Sequence, residues 1–218
     1  VAGELSAMNR STSNVVMLQP AGPHAGDAAD TPTPTLPDSL PGALIGDIRS
    51  DHAGETGAVR VYQGILAVSR DPQVRAFAAR HIETERKHLT LISACFEKRL
   101  QSKLLPVWNI AGLLTGALPA LFGARAVYAT IAAVETFVDH HYQQQLDKID
   151  RLARDADVEH RATLAQWRSL LHYCQADEIA HRDEAQAHLQ TPLPWWLAAW
   201  RTMVGRGSAV AVVFARSI

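Results

Sequence analysis

Two Glu-x-x-His pairs constrain this chain more than any other feature. Glu85 with His88 forms one, and Glu178 with His181 forms the other. Residues three apart share a helix face, so each pair sets a carboxylate beside an imidazole. A single pair of this kind is more often a solvated face than a ligand set. The order of the pairs carries the stronger signal. A helical segment with Glu55 precedes the first pair, and one with Glu135 precedes the second. The chain therefore repeats a glutamate helix followed by a Glu-x-x-His helix. Bundles that hold two divalent metals between carboxylates use this ligand set.

Helical periodicity runs from Asp38 onward, and no strand pattern competes with it. The pattern predicts an all-α fold with bundle helices at about 39–69, 72–101, 119–151 and 156–189. Asp71-Pro72 closes the first, and Pro72 suits the first position of the second, where its missing N–H costs nothing. Thr191-Pro192 and Pro194 end the fourth. The stretch from Pro20 to Pro41 is rich in Pro, Ala, Asp and Thr, so residues 1–38 are expected to form a disordered tail before a domain over 39–218. No signal peptide or transit peptide is expected, because residues 1–35 are not Arg-rich and lack a basic start followed by an apolar run.

Two apolar stretches are unusual for a water-soluble bundle. Residues 104–124, LLPVWNIAGLLTGALPALFGA, carry no charge, a length that would span a bilayer. Pro106, Pro119, Gly112, Gly116 and Gly123 are expected to interrupt the stretch, so a dip into the interface is favoured over a span. The second stretch, about 193–216, begins with Trp195, Trp196 and Trp200, retains Arg201, Arg206 and Arg216, and has no acidic residue. A cationic, Trp-rich helix fits a headgroup interface. The net charge of −1 argues against nucleic acid as a partner. Cys95 and Cys174 are isolated, which excludes a disulfide framework or a thiolate zinc site and fits a reducing compartment.

The residue types fit the chemistry. Two adjacent divalent cations repel, and bridging carboxylates offset that charge. Neutral imidazoles complete each coordination sphere, and the mixed oxygen–nitrogen set favours iron(II) or manganese(II). Glu135 lies in the uncharged run YATIAAVETFV, where an unpaired carboxylate would be costly. The bland alternative for it is an ion pair with a basic residue on a neighbouring helix. Tyr62 follows Glu55 by two turns, and Tyr142 follows Glu135 in the same way, so either phenol has the spacing to line the site. Asp51 and His52 lie one turn before Glu55, and His81 one turn before Glu85, placed to hold ligands from behind. For His81 and His140, ordinary polar positions are the preferred reading.

The segments DHAGETGAVRVYQG, ETERKHL, PVWN, AVETFVDHHYQQQ and DEIAH resemble the demethoxyubiquinone hydroxylase family, ferritin-like di-iron monooxygenases of ubiquinone biosynthesis. The resemblance runs from about Ile45 onward and covers all six ligand positions in order. It implies a ferritin-like four-helix bundle with additional apolar or interfacial helices. It also implies two iron ions per chain, O2 as co-substrate, and NADH or another external reductant. Glu55, Glu85, His88, Glu135, Glu178 and His181 match the iron ligands. His141 and Tyr142 match a pair expected near the substrate, a polyprenyl benzoquinol whose ring is hydroxylated. The implied location is peripheral, on the cytoplasmic face of the cell inner membrane. Other ubiquinone-biosynthesis proteins are the implied partners, and a homo-oligomer is allowed for. Thr136 departs from the family pattern, where many relatives have a second glutamate, and no ligand role is expected there.

Gly205-Arg206-Gly207 lacks the third glycine and the strand–helix context of a dinucleotide site, so no nicotinamide domain is expected. Three other functions use the same residues: iron oxidation or storage, a non-enzymatic lipid-binding bundle, and a ferritin-like hydroxylase acting on RNA or fatty acid.

Overall fold

The structure, a computed structural model, describes residues 32–218. Most of the tail expected over 1–38 lies outside those residues. Six α-helices follow in order: α1 (Ile45–Val68), α2 (Pro72–Ala94), α3 (Leu105–Ala120), α4 (Ala124–Asp155), α5 (Val158–Ala187) and α6 (Trp195–Ser217). No strand occurs among the described residues, and the fold is an all-α, ferritin-like bundle. Helices α1, α2, α4 and α5 form the four-helix core, while α3 lies along α1 and α6 lies across α4 and α1.

Local chemistry sets the helix ends. The Asp71 carboxylate accepts from the amides of Gln73 and Val74, with Pro72 following it at the first helical position. Asp157 caps α5 by accepting from the amide of His160 at 2.9 Å. Helix α1 starts later than the pattern predicts, because Gly42–Leu44 form a separate 3-10 turn. Helix α2 ends at Ala94 rather than near 101, and Lys98–Leu100 form another 3-10 turn. The third bundle helix starts at Ala124, not 119, because Gly123 adopts a positive φ of 92° and separates it from α3.

Helix α3 corrects the reading of residues 104–124. Gly112 and Gly116, expected to interrupt this stretch, lie within one continuous helix, while Gly123 interrupts it as expected, between α3 and α4. Pro106 sits in its first turn, where no amide hydrogen is needed. Gly112 and Gly116 are contact points: a Cβ on Gly112 would lie 2.4 Å from the Gly57 carbonyl oxygen, and one on Gly116 would lie 1.9 Å from that of Val61. The two backbones meet there without side chains between them. Among the described residues no helix is long and apolar enough to cross a membrane.

Each core helix passes from one apolar cluster to another. One cluster gathers Ile48, Ile92, Leu146, Leu170 and Trp167. The second gathers Ile65, Phe77, Ile82, Ile131 and Tyr128. Glu55, Glu85, Glu135 and Glu178 occupy the sequence between these contributions, so a polar belt crosses the bundle between two apolar ends. Burial of a side chain such as Ile65 or Leu170 stabilises by about 1.5–3 kcal/mol. Repeated along four helices, that gain holds the bundle together despite a belt of buried charge.

Candidate metal centre

The belt brings all six sequence-predicted ligands together. Glu55, Glu85, His88 and Glu178 form one group whose ligand atoms lie within 4.8 Å of one another. Glu85, Glu135, Glu178 and His181 form a second group of the same kind. Glu85 and Glu178 belong to both. The set thus has the form of two adjacent cation sites that share two carboxylates, with one imidazole and one further glutamate completing each.

Burial makes the cluster unstable as a purely protein assembly. All six residues are buried, and their ion-pair contacts are with one another or with Asp177. The basic partner considered for Glu135 is absent among the described residues, and its hydrogen-bond donor is Tyr62. Glu55 Oε2, both Glu85 oxygens, Glu178 Oε2 and His181 Nδ1 are buried without a hydrogen-bond partner. His181 Nδ1 lies 3.1 Å from Glu85 Oε1, yet the two are not aligned to share a hydrogen. Lone pairs that converge in this way suit a cation lying between them. The donor set therefore fits a pair of hard-to-borderline divalent metals.

The protonation balance reflects the same crowding. Burial, reinforced by Glu178, pushes the Glu85 carboxyl up to about 8. Burial and then Glu178 raise Glu135 well above the usual carboxylate range. Burial also opposes ionisation of Glu178, but hydrogen bonds from His181 and His88 hold it below its ordinary value. Burial works against a charged His88, and Cys174, Asp177, Glu178 and Glu55 outweigh it. The same competition between burial and the carboxylates Glu178 and Glu85 raises His181.

Both tyrosines reach the site, but across the bundle. Tyr62, on the helix of Glu55, donates to Glu135 Oε1 at 3.2 Å. Tyr142, on the helix of Glu135, donates to Glu55 Oε1 at 2.5 Å. Behind His88, Asp177 Oδ2 lies 3.0 Å from Nε2 and orients the ring so that Nδ1 faces Glu178 at 3.1 Å. Asp177 was not legible as functional from sequence, since adjacent residues on a helix do not share a face; its one signal is an acid immediately before Glu178. His81 is closer to the site than an ordinary polar position. Its ring sits 4.0 Å from that of His181, centroid to centroid, while Nε2 meets Glu184 at 3.0 Å. Burial lowers its pKa to about 4. His140 is an ordinary position, exposed and bonded to its own helix at Thr136. The His52 ring packs 5.8 Å from that of Phe96, centroid to centroid.

A cavity of about 410 Å³ adjoins the cluster. Glu55, Glu85, Glu135 and Glu178 line its inner part together with His141 and Tyr142. Trp108 and Gly112 of α3 and Trp200, Met203, Val204 and Gly207 of α6 line the rest. These α3 and α6 positions were not expected as site residues. Apolar composition alone gives no signal for which face of an interfacial helix turns inward.

The fold and this cluster define a ferritin-like bundle with a buried glutamate–histidine centre. The model of the family "Ubiquinone biosynthesis protein COQ7" matches residues 44–215, and the chain belongs to that family. It is similar to the 3-demethoxyubiquinol 3-hydroxylase of Rhodospirillum rubrum, 36% identical over 155 residues, covering 69% of this chain and 68% of that protein. It is also similar to the NADPH-dependent 3-demethoxyubiquinone 3-hydroxylase, mitochondrial, of Dictyostelium discoideum. That identity is 38% over 139 residues, covering 62% of this chain and 59% of that protein. The Homo sapiens protein of the same name is 32% identical over 168 residues, covering 76% and 73%. The chain thus matches about three fifths of the Dictyostelium relative's length.

Proposed function

We propose that this chain is a 3-demethoxyubiquinol 3-hydroxylase that adds an oxygen atom to the ring of a polyprenylated quinol. The observation that carries this reading is the apolar cavity that ends on Glu55, Glu85, Glu135 and Glu178. Storage of iron needs no such pocket for an organic ring. Family membership and the relatives' names support the same activity.

Two iron ions held by Glu55, Glu85, His88, Glu135, Glu178 and His181 would supply the redox chemistry that splits O2. The protein's own part is positioning and the exclusion of water. Glu85 and Glu178 offset the repulsion between two cations. Tyr62 and Tyr142 fix the glutamates that belong to one group each. His141 and Tyr142 lie where a ring in the cavity would meet the centre. Electrons come from an external donor: NADH or NADPH, the latter named in several relatives, or a separate reductase.

The outer faces of α3 and α6 support a peripheral membrane location, which we assign to the cytoplasmic face of the inner membrane as the family resemblance implies. Ile110, Leu114 and Phe122 from the first stretch and Trp195, Val213 and Phe214 from the second are exposed. A surface this apolar fits the interfacial zone of a bilayer, from which a prenyl tail would enter. Other ubiquinone-biosynthesis proteins are the expected neighbours there.

The test is anaerobic iron loading followed by a quinol hydroxylation assay. The expected result is about two irons per chain, the stoichiometry of the bundle ligand set, and an oxygen- and reductant-dependent hydroxylated ring. An iron-loaded chain that oxidises added iron(II) yet leaves the quinol unchanged would overturn the assignment.

A further inference from the structure

One polar network in the cavity wall lies outside the ligand set. His141 Nε2 lies 3.1 Å from Asp51 Oδ1 and 3.1 Å from Ser50 Oγ. Gln145 Nε2 donates to the same Asp51 oxygen at 2.6 Å. All four residues are buried. Ser50 and Asp51 come from α1, while His141 and Gln145 sit one turn apart on α4.

With Asp51 ionised and His141 neutral, the hydrogen inventory leaves one solution. Ser50 has a single hydroxyl hydrogen, and it goes to the Asp47 carbonyl at 2.6 Å. Its oxygen therefore has only lone pairs to offer His141. An ionised Asp51 is an acceptor only. Both neighbours of Nε2 are acceptors, so Nε2 carries the ring hydrogen. In neutral imidazole the other nitrogen is then a bare acceptor. That nitrogen, Nδ1, has no protein partner among the described residues, and the ring lines the cavity.

We propose that Asp51, supported by Ser50, is a positioning residue that locks His141 as an Nδ1 acceptor, so that the cavity selects the hydroxyl-bearing, reduced ring over its quinone. A quinol O–H can donate to Nδ1. A quinone carbonyl cannot, and it would set two acceptors against each other in a buried place. The inference rests on the hydroxylase reading and specifies which redox form of the substrate enters.

The experiment uses the full chain loaded with zinc, which is redox-inert, and a short-tailed methoxy-methyl-benzohydroquinone with its quinone as probes. Nitrogen NMR of labelled histidine reads the tautomer, and quenching of tryptophan fluorescence reads binding, since Trp108 and Trp200 line the cavity. The expected result is a His141 with protonated Nε2 and at least about tenfold tighter binding of the quinol, the ratio given by about 1.4 kcal/mol. Asp51→Leu should reduce that preference to about twofold or less without changing zinc content. Asp51→Asn should retain most of it, because the amide oxygen can stay where Gln145 donates. A protonated Nδ1 in the unmodified chain overturns the proposal, as does equal affinity for the two ring forms. Either result is available even if Asp51→Leu does not fold. Full preference in a folded Asp51→Leu also overturns it. Failure of the unmodified chain to bind either ring overturns the hydroxylase reading as well.

Discussion

The Tyr142 hydroxyl donates to Glu55 Oε1 at 2.5 Å, linking α4 to α1 at the edge of the cluster. Tyr62 and Glu135 repeat the link in the opposite sense, at 3.2 Å. Each glutamate confined to one ligand group is thus held by a phenol from the other glutamate helix. Hydrogen bonds to charged groups contribute about 1.5–3 kcal/mol. Tyr142→Phe is expected to lose stability in that range, and Tyr62→Phe less, because its bond is longer and Glu135, raised well above the usual carboxylate range, is neutral in the metal-free chain. Urea denaturation of the metal-free chains measures both, and an unchanged midpoint for Tyr142→Phe would contradict the role given to this bond.

Sharing of ligands predicts an asymmetry in metal content. Glu178 belongs to both groups, while Glu135 belongs to one. Glu178→Ala is expected to bring iron close to zero with most helix content intact. Glu135→Ala is expected to retain iron at the remaining group. Metal analysis after anaerobic loading decides the matter, and equal iron in the two variants would rule out a shared carboxylate.

The protonation balance predicts how acid and base act on the metal-free fold. Glu85 rises from an ordinary 4.5 to about 8 in the folded chain. A group raised on folding binds more protons folded than unfolded between those values, so stability falls as pH rises through the window. His88 and His181, also raised, contribute in the same direction above their ordinary 6.5. His81, lowered to about 4, opposes them below 6.5, so thermal unfolding of the metal-free chain should shift to lower temperature between pH 6.5 and 8. Iron(II) requires the deprotonated carboxylates, so its stabilising effect should grow over the same range. A metal-free melting temperature that climbs with pH would refute this balance.

The seam between α1 and α3 has no room for a methyl group. A Cβ on Gly116 would meet the Val61 carbonyl oxygen at 1.9 Å, and backbone cannot step aside as a flexible side chain can. Gly116→Ala should cost about 1–3 kcal/mol from overpacking, read as a lower melting temperature. Gly205→Ala, with nothing within 4 Å of its added Cβ, is the control expected to leave it unchanged or slightly raised.

Exposed apolar residues on α3, on the turn after it and on α6 give a test of membrane contact that spares the core. Leu114, Phe122 and Val213 are 48%, 70% and 63% exposed, so charge there disturbs little packing. The triple glutamate substitution should keep the melting temperature and lose co-sedimentation with anionic vesicles. Undiminished sedimentation would place the contact elsewhere.

The six converging glutamates and histidines were legible because their spacing and order are properties of the chain alone. The four bundle helices were legible for the same reason. The tyrosine links were only half legible: a spacing of seven places Tyr142 beside Glu135 on one face, but the partner it bonds stands on another helix. Gly112 and Gly116 misled, because composition cannot tell a glycine that breaks a helix from one that lets two backbones meet. Asp177 and the pairing of Asp51 with His141 depend on how neighbouring helices are rotated, which no local pattern encodes.

The position of α6 also separates assembly of the belt from closure of the cavity. All six converging glutamates and histidines precede the helix that roofs the cavity, Trp195–Ser217. The belt draws on no residue of α6, so it can form before that helix docks. Undocking of α6 alone would open the belt to ions in solution without dismantling the four core helices.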